Sequence, residues 1–360
     1  MFEYRDKQLM AKIIQMLKKS NLGLRFMHVC GTHQDTIVKY GLDSILKEYS
    51  IEVRQGPGCP VCITTDPEIE KGIILAKNGI TITSFGDMLR VPTSMGSLID
   101  TRTEGCDIRI VYSVEDAVSL ADKNPDKKIV FMAIGFETTA PGTAAILIED
   151  NLPNNFSVIS CHRYLPPALK SLLKAGESKI DGIIEPGHVS TIIGLKPYEE
   201  ISNIYKIPQV VAGFEPLDVM MAVYMLTKQK MKKEAKVENE YFRSVKPEGN
   251  KKALNFIEKV FEPINAYWRG FPIISNSKMN LRKEYDEYNA ELIYADLLEK
   301  EAQKKQPQST GCRCNEVLRG LIDPKDCPLF GKTCTPQNPI GPCMVSYEGS
   351  CNIEHKYKKN

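Results

Sequence analysis

The stretch Leu24-Arg25-Phe26-Met27-His28-Val29-Cys30-Gly31-Thr32-His33-Gln34 decides the fold class. Its first six residues suit a strand, and Gly31 punctuates it. A helical period follows through Ile37, Tyr40, Ile45 and Leu46. Working outward, apolar runs at 51–54, 80–85, 108–112 and 129–134 read as strands, and 68–77 reads as a helix. Next come a strand at 156–160 ending at Cys161-His162 and a helix at 167–175. Strands at 180–184 and 207–211 end at Glu185-Pro186-Gly187-His188 and Gly213-Phe214-Glu215-Pro216. Strand runs alternating with helical periods predict an α/β fold with a largely parallel sheet. Blocks 51–96 and 156–194 share one order: strand, turn, helix, strand, glycine-containing loop. That order fits two related α/β domains, and equally the repetition inherent in any α/β chain. Residues 228–252 turn polar and charged, as a solvated helix with a linker or as a domain boundary. Helical patterns resume at 253–260 and 288–298.

With 360 residues the chain is long enough for two or three domains, and 42% hydrophobic residues can build a buried core. A net charge of +2 argues against a broad nucleic-acid footprint. No apolar run approaches the ~20 residues of a membrane helix. The N-terminal pattern of Leu9, Ile13, Ile14 and Leu17 is amphipathic and lacks the parts of a signal peptide. A cytoplasmic location is therefore expected, where disulfides are disfavoured and clustered cysteines bind metal or do redox chemistry.

Six of the eleven cysteines, Cys312, Cys314, Cys327, Cys334, Cys343 and Cys351, fall in the last 49 residues. Apolar residues are sparse there, so a metal staple is expected to hold the segment. Cys312, Cys327, Cys334 and Cys351 are separated by fourteen, six and sixteen residues. That spacing suits a loop-held iron–sulfur cluster better than paired zinc knuckles. Cys314 and Cys343 remain as alternative ligands, a redox pair or buried thiols.

Cys30 sits between a strand and a helix, where free backbone N–H groups and the helix dipole favour a thiolate, the nucleophile and soft metal ligand. His33 is placed to share a proton with it. The plainer reading is a buried cysteine beside a turn-capping histidine. In Gly56-Pro57-Gly58-Cys59-Pro60-Val61-Cys62, the spacing permits a disulfide, a redox dithiol or two ligands to one metal. Gly135-Phe136-Glu137-Thr138-Thr139-Ala140-Pro141-Gly142 and the two strand-end loops above stand where open α/β sheets bind ligands. None matches a Walker A loop or a dinucleotide fingerprint.

Taken in order, these motifs, with Cys343-Met344-Val345-Ser346-Tyr347-Glu348-Gly349 in the tail, resemble the HypD family along nearly the whole chain. The resemblance implies a scaffold that assembles the Fe(CN)2CO moiety of nickel–iron hydrogenases. It implies a [4Fe-4S] cluster on Cys312, Cys327, Cys334 and Cys351, and transient iron on Cys30 shared with a small chaperone, HypC. Cys59 and Cys62 would be a redox pair or further iron-site residues, with Thr32 and His33 beside the site. HypE would deliver cyanide, and the hydrogenase large subunit would be served indirectly. The implied layout is a segment 1–50 packing with the cluster domain, α/β domains 51–145 and 146–240, and a helical, cysteine-rich domain 241–360. The competing reading is a protein-disulfide reductase resembling ferredoxin–thioredoxin reductase, which leaves Cys30 and His33 without a task. A docking module with a structural cluster and a zinc-stapled hydrolase are further alternatives.

Overall fold

The computed structural model describes residues 6–20, 22–302 and 310–357. Its strands are β1 (Leu24–His28), β2 (Ile51–Gln55), β3 (Thr81–Ser84), β4 (Ile108–Ile110), β5 (Ile129–Gly135) and β6 (Phe156–His162). They continue with β7 (Gly182–Pro186), β8 (Gln209–Ala212), β9 (Val237–Asn239), β10 (Phe261–Tyr267) and β11 (Ile273–Leu281). One sheet has the order β2-β1-β7-β8-β9 and another β4-β3-β5-β6, and every pairing in both is parallel. β10 and β11 form an antiparallel pair. The fold is α/β with parallel sheets, as the alternating pattern predicts.

The sheets do not follow the chain's linear segments. The strand at 51–55 pairs in the sheet that holds 182–239, and the strand at 156–162 pairs in the sheet that holds 81–135. Each sheet thus draws on both 51–145 and 146–240, because parallel neighbours need long crossovers and need not be consecutive.

Alternation along each strand explains the burial. In β5, Val130, Met132 and Ile134 face one core while Ile129, Phe131 and Ala133 face another. The first core also takes Met27 and Val29, Ile183 and Val211, so it joins the two parallel sheets. The outer face of the first sheet, with Phe26, Ile184 and Val210, is covered by Ile13 and Leu17 of the helix Lys7–Leu17 and by the helix Pro216–Lys232.

Several local expectations change. The helical period at 37–46 is two helices, Gly31–Lys39 and Leu42–Lys47, because Gly41 takes a positive φ of 64° between them. The strand expected at 108–112 ends at Ile110. Part of the polar stretch 228–252 is β9, which adds an edge to the first sheet. The tail has no core of its own but lends Leu318, Met344 and Val345 to the shared one. Among the described residues no helix is long and apolar enough to cross a membrane.

An ion cluster locks these parts together. Arg163, fully buried just after β6, donates to both carboxylate oxygens of Glu68 at 2.6 and 2.7 Å. Lys278 of β11 lies 3.7 Å from Glu68 and 3.0 Å from Glu291. Burial pushes the Glu68 carboxyl up, but Arg163 and Lys278 outweigh it and hold it at about 2.

Candidate functional site

The carboxyl ends of β1, β2, β7 and β8 carry four of the singled-out loops, and these meet around Cys30, while the stretch 135–142 runs on from β5 of the other sheet. The residue caps the helix Gly31–Lys39 with extended backbone, φ −155°. The backbone N–H groups of His33 and Thr32 and the Thr32 hydroxyl lie near its sulfur and favour the charged form, though its side chain closes no cap hydrogen bond. They do not make it a thiolate. Burial pushes the thiol up to about 12, with the nearby Glu348 carboxylate acting in the same direction. The helix-terminus argument is overturned here because desolvation outweighs a few N–H dipoles. A bound cation is the condition under which the charged form becomes favourable in such a place.

The structure separates the two histidines. His188 places Nε2 3.9 Å from Cys30 Sγ, whereas His33 donates through Nε2 to the Gly213 carbonyl at 2.9 Å. Phe214 stands between them, each imidazole 5.0 Å from its ring centroid. Burial lowers both, and with His28 nearby His33 reaches about 3, so both are neutral at physiological pH. Beneath them His28 Nε2 meets Gln34 Oε1 at 2.7 Å, and Gln34 reaches Glu354 in the tail at 3.3 Å. The place of His188 next to the thiol had one signal in the sequence, its position just past the end of a strand.

Cys59 and Cys62 are disulfide-bonded and fully buried. β2 feeds their loop, and Gly56 N–H donates to the His28 carbonyl at 2.8 Å. Gly58 presses on the backbone of Val29 and Cys30 so closely that a Cβ there would overlap both. This close approach sets the disulfide turn directly over Cys30. Arg269, in the turn between β10 and β11, donates to the carbonyls of Cys62 and Thr64 at 3.1 and 2.7 Å and pairs with Asp66 at 2.7 Å.

The tail cysteines converge as well. Cys312, Cys314, Cys327, Cys334, Cys343 and Cys351 all line one cavity, closed by Phe330 and Met344. Cys314 Sγ and Cys343 Sγ are 2.8 Å apart. Burial first, then the neighbouring cysteines, raises Cys312 to about 12 and also pushes Cys351 well above the ordinary thiol range. Six soft thiols in one buried apolar cavity are a donor set that fits an iron–sulfur cluster chemically. Among the described residues, however, no group of three or more His, Cys, Asp or Glu side chains stands in metal-binding geometry. The donors are gathered without being drawn to ligand distance.

The tail also reaches Cys30. The helix Pro342–Val345 packs on the helix Pro60–Ile63 that carries the disulfide, and the helix Ser350–Tyr357 packs on Gly31–Lys39. Gly31 has no room for a Cβ because Glu348 lies against it. The thiol pair Cys314/Cys343, the disulfide and Cys30 are thus in successive packed elements.

A family profile named HypD, described as "Hydrogenase formation hypA family", matches residues 5–358. A Methanocaldococcus jannaschii protein named for hydrogenase expression and formation is 51% identical over 364 residues, covering 100% of both chains. Hydrogenase maturation factor HypD of Cupriavidus necator is 40% identical over 369 residues, covering 99% of this chain and 96% of that one. The Escherichia coli HypD is 40% identical over 370 residues, covering 99% and 97%. On a full-length match of this kind, the chain belongs to the HypD family of hydrogenase maturation factors.

Proposed function

We propose that the chain is the scaffold and redox partner on which an iron ion, as cargo, receives cyanide and carbonyl ligands during hydrogenase assembly. The observation that carries this reading is the seating of the Cys59–Cys62 turn on the Cys30 backbone, with the six-cysteine cavity packed behind it. Cys30 is the thiolate ligand to the iron, and a small chaperone of the HypC kind supplies a second. Soft, electron-rich sulfur suits iron that carries cyanide and carbonyl.

Cyanide arriving as a thiocyanate on a carrier of the HypE kind is released by two electrons. In the dithiol state Cys59 and Cys62 supply them: R–S–CN plus two thiols gives R–SH, CN⁻, H⁺ and the disulfide. The cyanide goes to the iron at Cys30. A cluster on Cys312, Cys327, Cys334 and Cys351 would supply electrons singly. Cys314 and Cys343, on the wall of that cavity, can hold a pair in transit, and the helix that carries Cys343 packs on the disulfide's helix. His188, neutral beside Cys30, orients the thiol without competing for its proton. The disulfide-reductase reading accounts for the two cysteine pairs but leaves this arrangement around Cys30 unexplained.

The test is an anaerobic infrared spectrum of the chain purified with its chaperone. Cyanide and carbonyl stretches are expected in the wild type and absent from Cys30→Ala. Cys59→Ala is expected to keep iron but install cyanide at least tenfold more slowly. Wild-type complex from hydrogenase-producing cells that shows no such bands sinks the scaffold reading in favour of the reductase.

A further inference from the structure

The turn between β10 and β11 carries a side chain with no task in the scheme above. Arg269 meets the end of the disulfide helix Pro60–Ile63 at three successive carbonyls. Its Nε donates to the Cys62 carbonyl at 3.1 Å, its main-chain N–H to that of Ile63 at 2.9 Å, and its Nη2 to that of Thr64 at 2.7 Å. The last carbonyls of a helix have no partner within it, so a helix of only four residues depends on such outside donors. The remaining nitrogen, Nη1, pairs with Asp66 at 2.7 Å.

The turn is itself fixed on both flanks. Trp268 is buried, stacks on Phe136 with ring centroids 5.9 Å apart, and donates through Nε1 to the Ser277 hydroxyl at 3.0 Å. Gly270 takes a φ of 84° and lies against Asn315, in the helix that carries Cys314, so closely that a Cβ there would overlap its main chain. The tip of the hairpin is thus wedged between the disulfide helix and a wall of the cysteine cavity. Within the disulfide turn the Cys62 N–H donates to Cys59 Sγ at 3.1 Å. None of these contacts passes through the S–S bond, so the geometry that keeps the two sulfurs adjacent does not depend on it.

We propose that Arg269 is a positioning residue that keeps the Cys59 and Cys62 thiols facing each other once the disulfide is reduced, and so makes the dithiol a stronger reductant. This inference rests on the reading of Cys59 and Cys62 as a redox pair. Two electrons and two protons open the disulfide to two thiols, and a free turn gains conformational freedom at that moment. A clamped turn gains little, so the disulfide closes again at little cost and the pair gives up its electrons readily. The guanidinium charge alone acts the other way, because a cation beside sulfur favours the thiolate and hence the reduced form. Asp66 offsets that charge, which leaves the hydrogen bonds as the larger effect. Holding and charge therefore predict opposite signs.

The experiment equilibrates the full-length chain anaerobically with dithiothreitol and its oxidised form at set ratios, approached from both the oxidised and the reduced side. Differential alkylation and mass spectrometry then read the peptide that carries Cys59 and Cys62. Wild type, Arg269→Met and Arg269→Lys are compared. Arg269→Lys keeps the charge but has no fork to span two carbonyls. In Arg269→Met the equilibrium is expected to move about tenfold towards the dithiol, which is about 30 mV for a two-electron couple. Arg269→Lys is expected to move the same way by about threefold or more. If Arg269→Met does not fold, Arg269→Lys decides alone. Arg269→Lys at the wild-type position, or Arg269→Met displaced towards the disulfide, overturns the inference and leaves the redox pair standing. A wild-type pair that stays oxidised in dithiothreitol alone is a structural bridge, which overturns the redox reading and this inference with it.

Discussion

An Arg163→Met variant is expected to lose about 3–5 kcal/mol of folding stability, the usual cost of breaking a buried ion pair from one side. The guanidinium is wholly buried, and its two hydrogen bonds to Glu68 tie the strand end at β6 to the helix Asp66–Lys77. Removing it leaves a buried carboxylate with Lys278 at 3.7 Å as its remaining cation, beside the Thr65 N–H and hydroxyl that donate to it at 3.1 and 2.8 Å. Replacing both partners removes the stranded charge, so Glu68→Leu combined with Arg163→Met is expected to recover most of the loss. Denaturant unfolding of the two variants checks this. A single variant within about 1 kcal/mol of wild type would show that Lys278 suffices. The pH dependence has a defined sign. Glu68 is held at about 2, below its ordinary 4.5, so its contribution is complete above 4.5 and is lost as pH falls towards 2. The gap between wild type and Arg163→Met therefore narrows through that window.

Gly58→Ala is expected to cost about 1–3 kcal/mol, the range for forcing a methyl into a filled interior. Its larger effect falls on the site. The atoms in the way are main chain, the carbonyl of Val29 and the nitrogen of Cys30, so no side chain can turn aside. The disulfide turn must lift from Cys30, or Cys30 must leave its place at the helix start. In either case the thiol opens. Cys30 is 1% exposed and pushed up to about 12 in the intact structure, so it should resist alkylation. In Gly58→Ala a maleimide is expected to label Cys30 at least tenfold faster, and the infrared bands of the loaded complex should weaken. Labelling at the wild-type rate would mean that the two loops are not held together as described.

The sequence made legible what depends on neighbours in the chain. Strand β1 running into Cys30, the helices after it and the glycine-bracketed cysteine pair are set by local periodicity and turn chemistry. What depends on distant partners was hidden. Arg163 and Glu68 are 95 residues apart, and no local pattern marks either as buried. β10 carries Pro263, which argues against a strand until the edge position is known, so the hairpin with Arg269 was missed. The thiolate expectation for Cys30 failed because helix geometry is local and desolvation is not. His188 lay in a loop that was singled out for its place at a strand end. Its nearness to Cys30 required the pairing of β1 with β7, which spacing does not disclose.

That pairing also has a consequence for synthesis on the ribosome. β1 and β2 emerge early, but the next strand of their sheet, β7, follows roughly 130 residues later. At 5–20 residues per second the wait is about 6–25 s, during which the whole second sheet is made. The tail that covers Cys30 through Glu348 comes last of all. Cys30, Cys59 and Cys62 therefore spend the period of translation uncovered, reachable by glutathione, oxidants and stray metal ions alike. Their burial is a late event, and the nascent chain depends on the reducing power of its surroundings until the final helix docks.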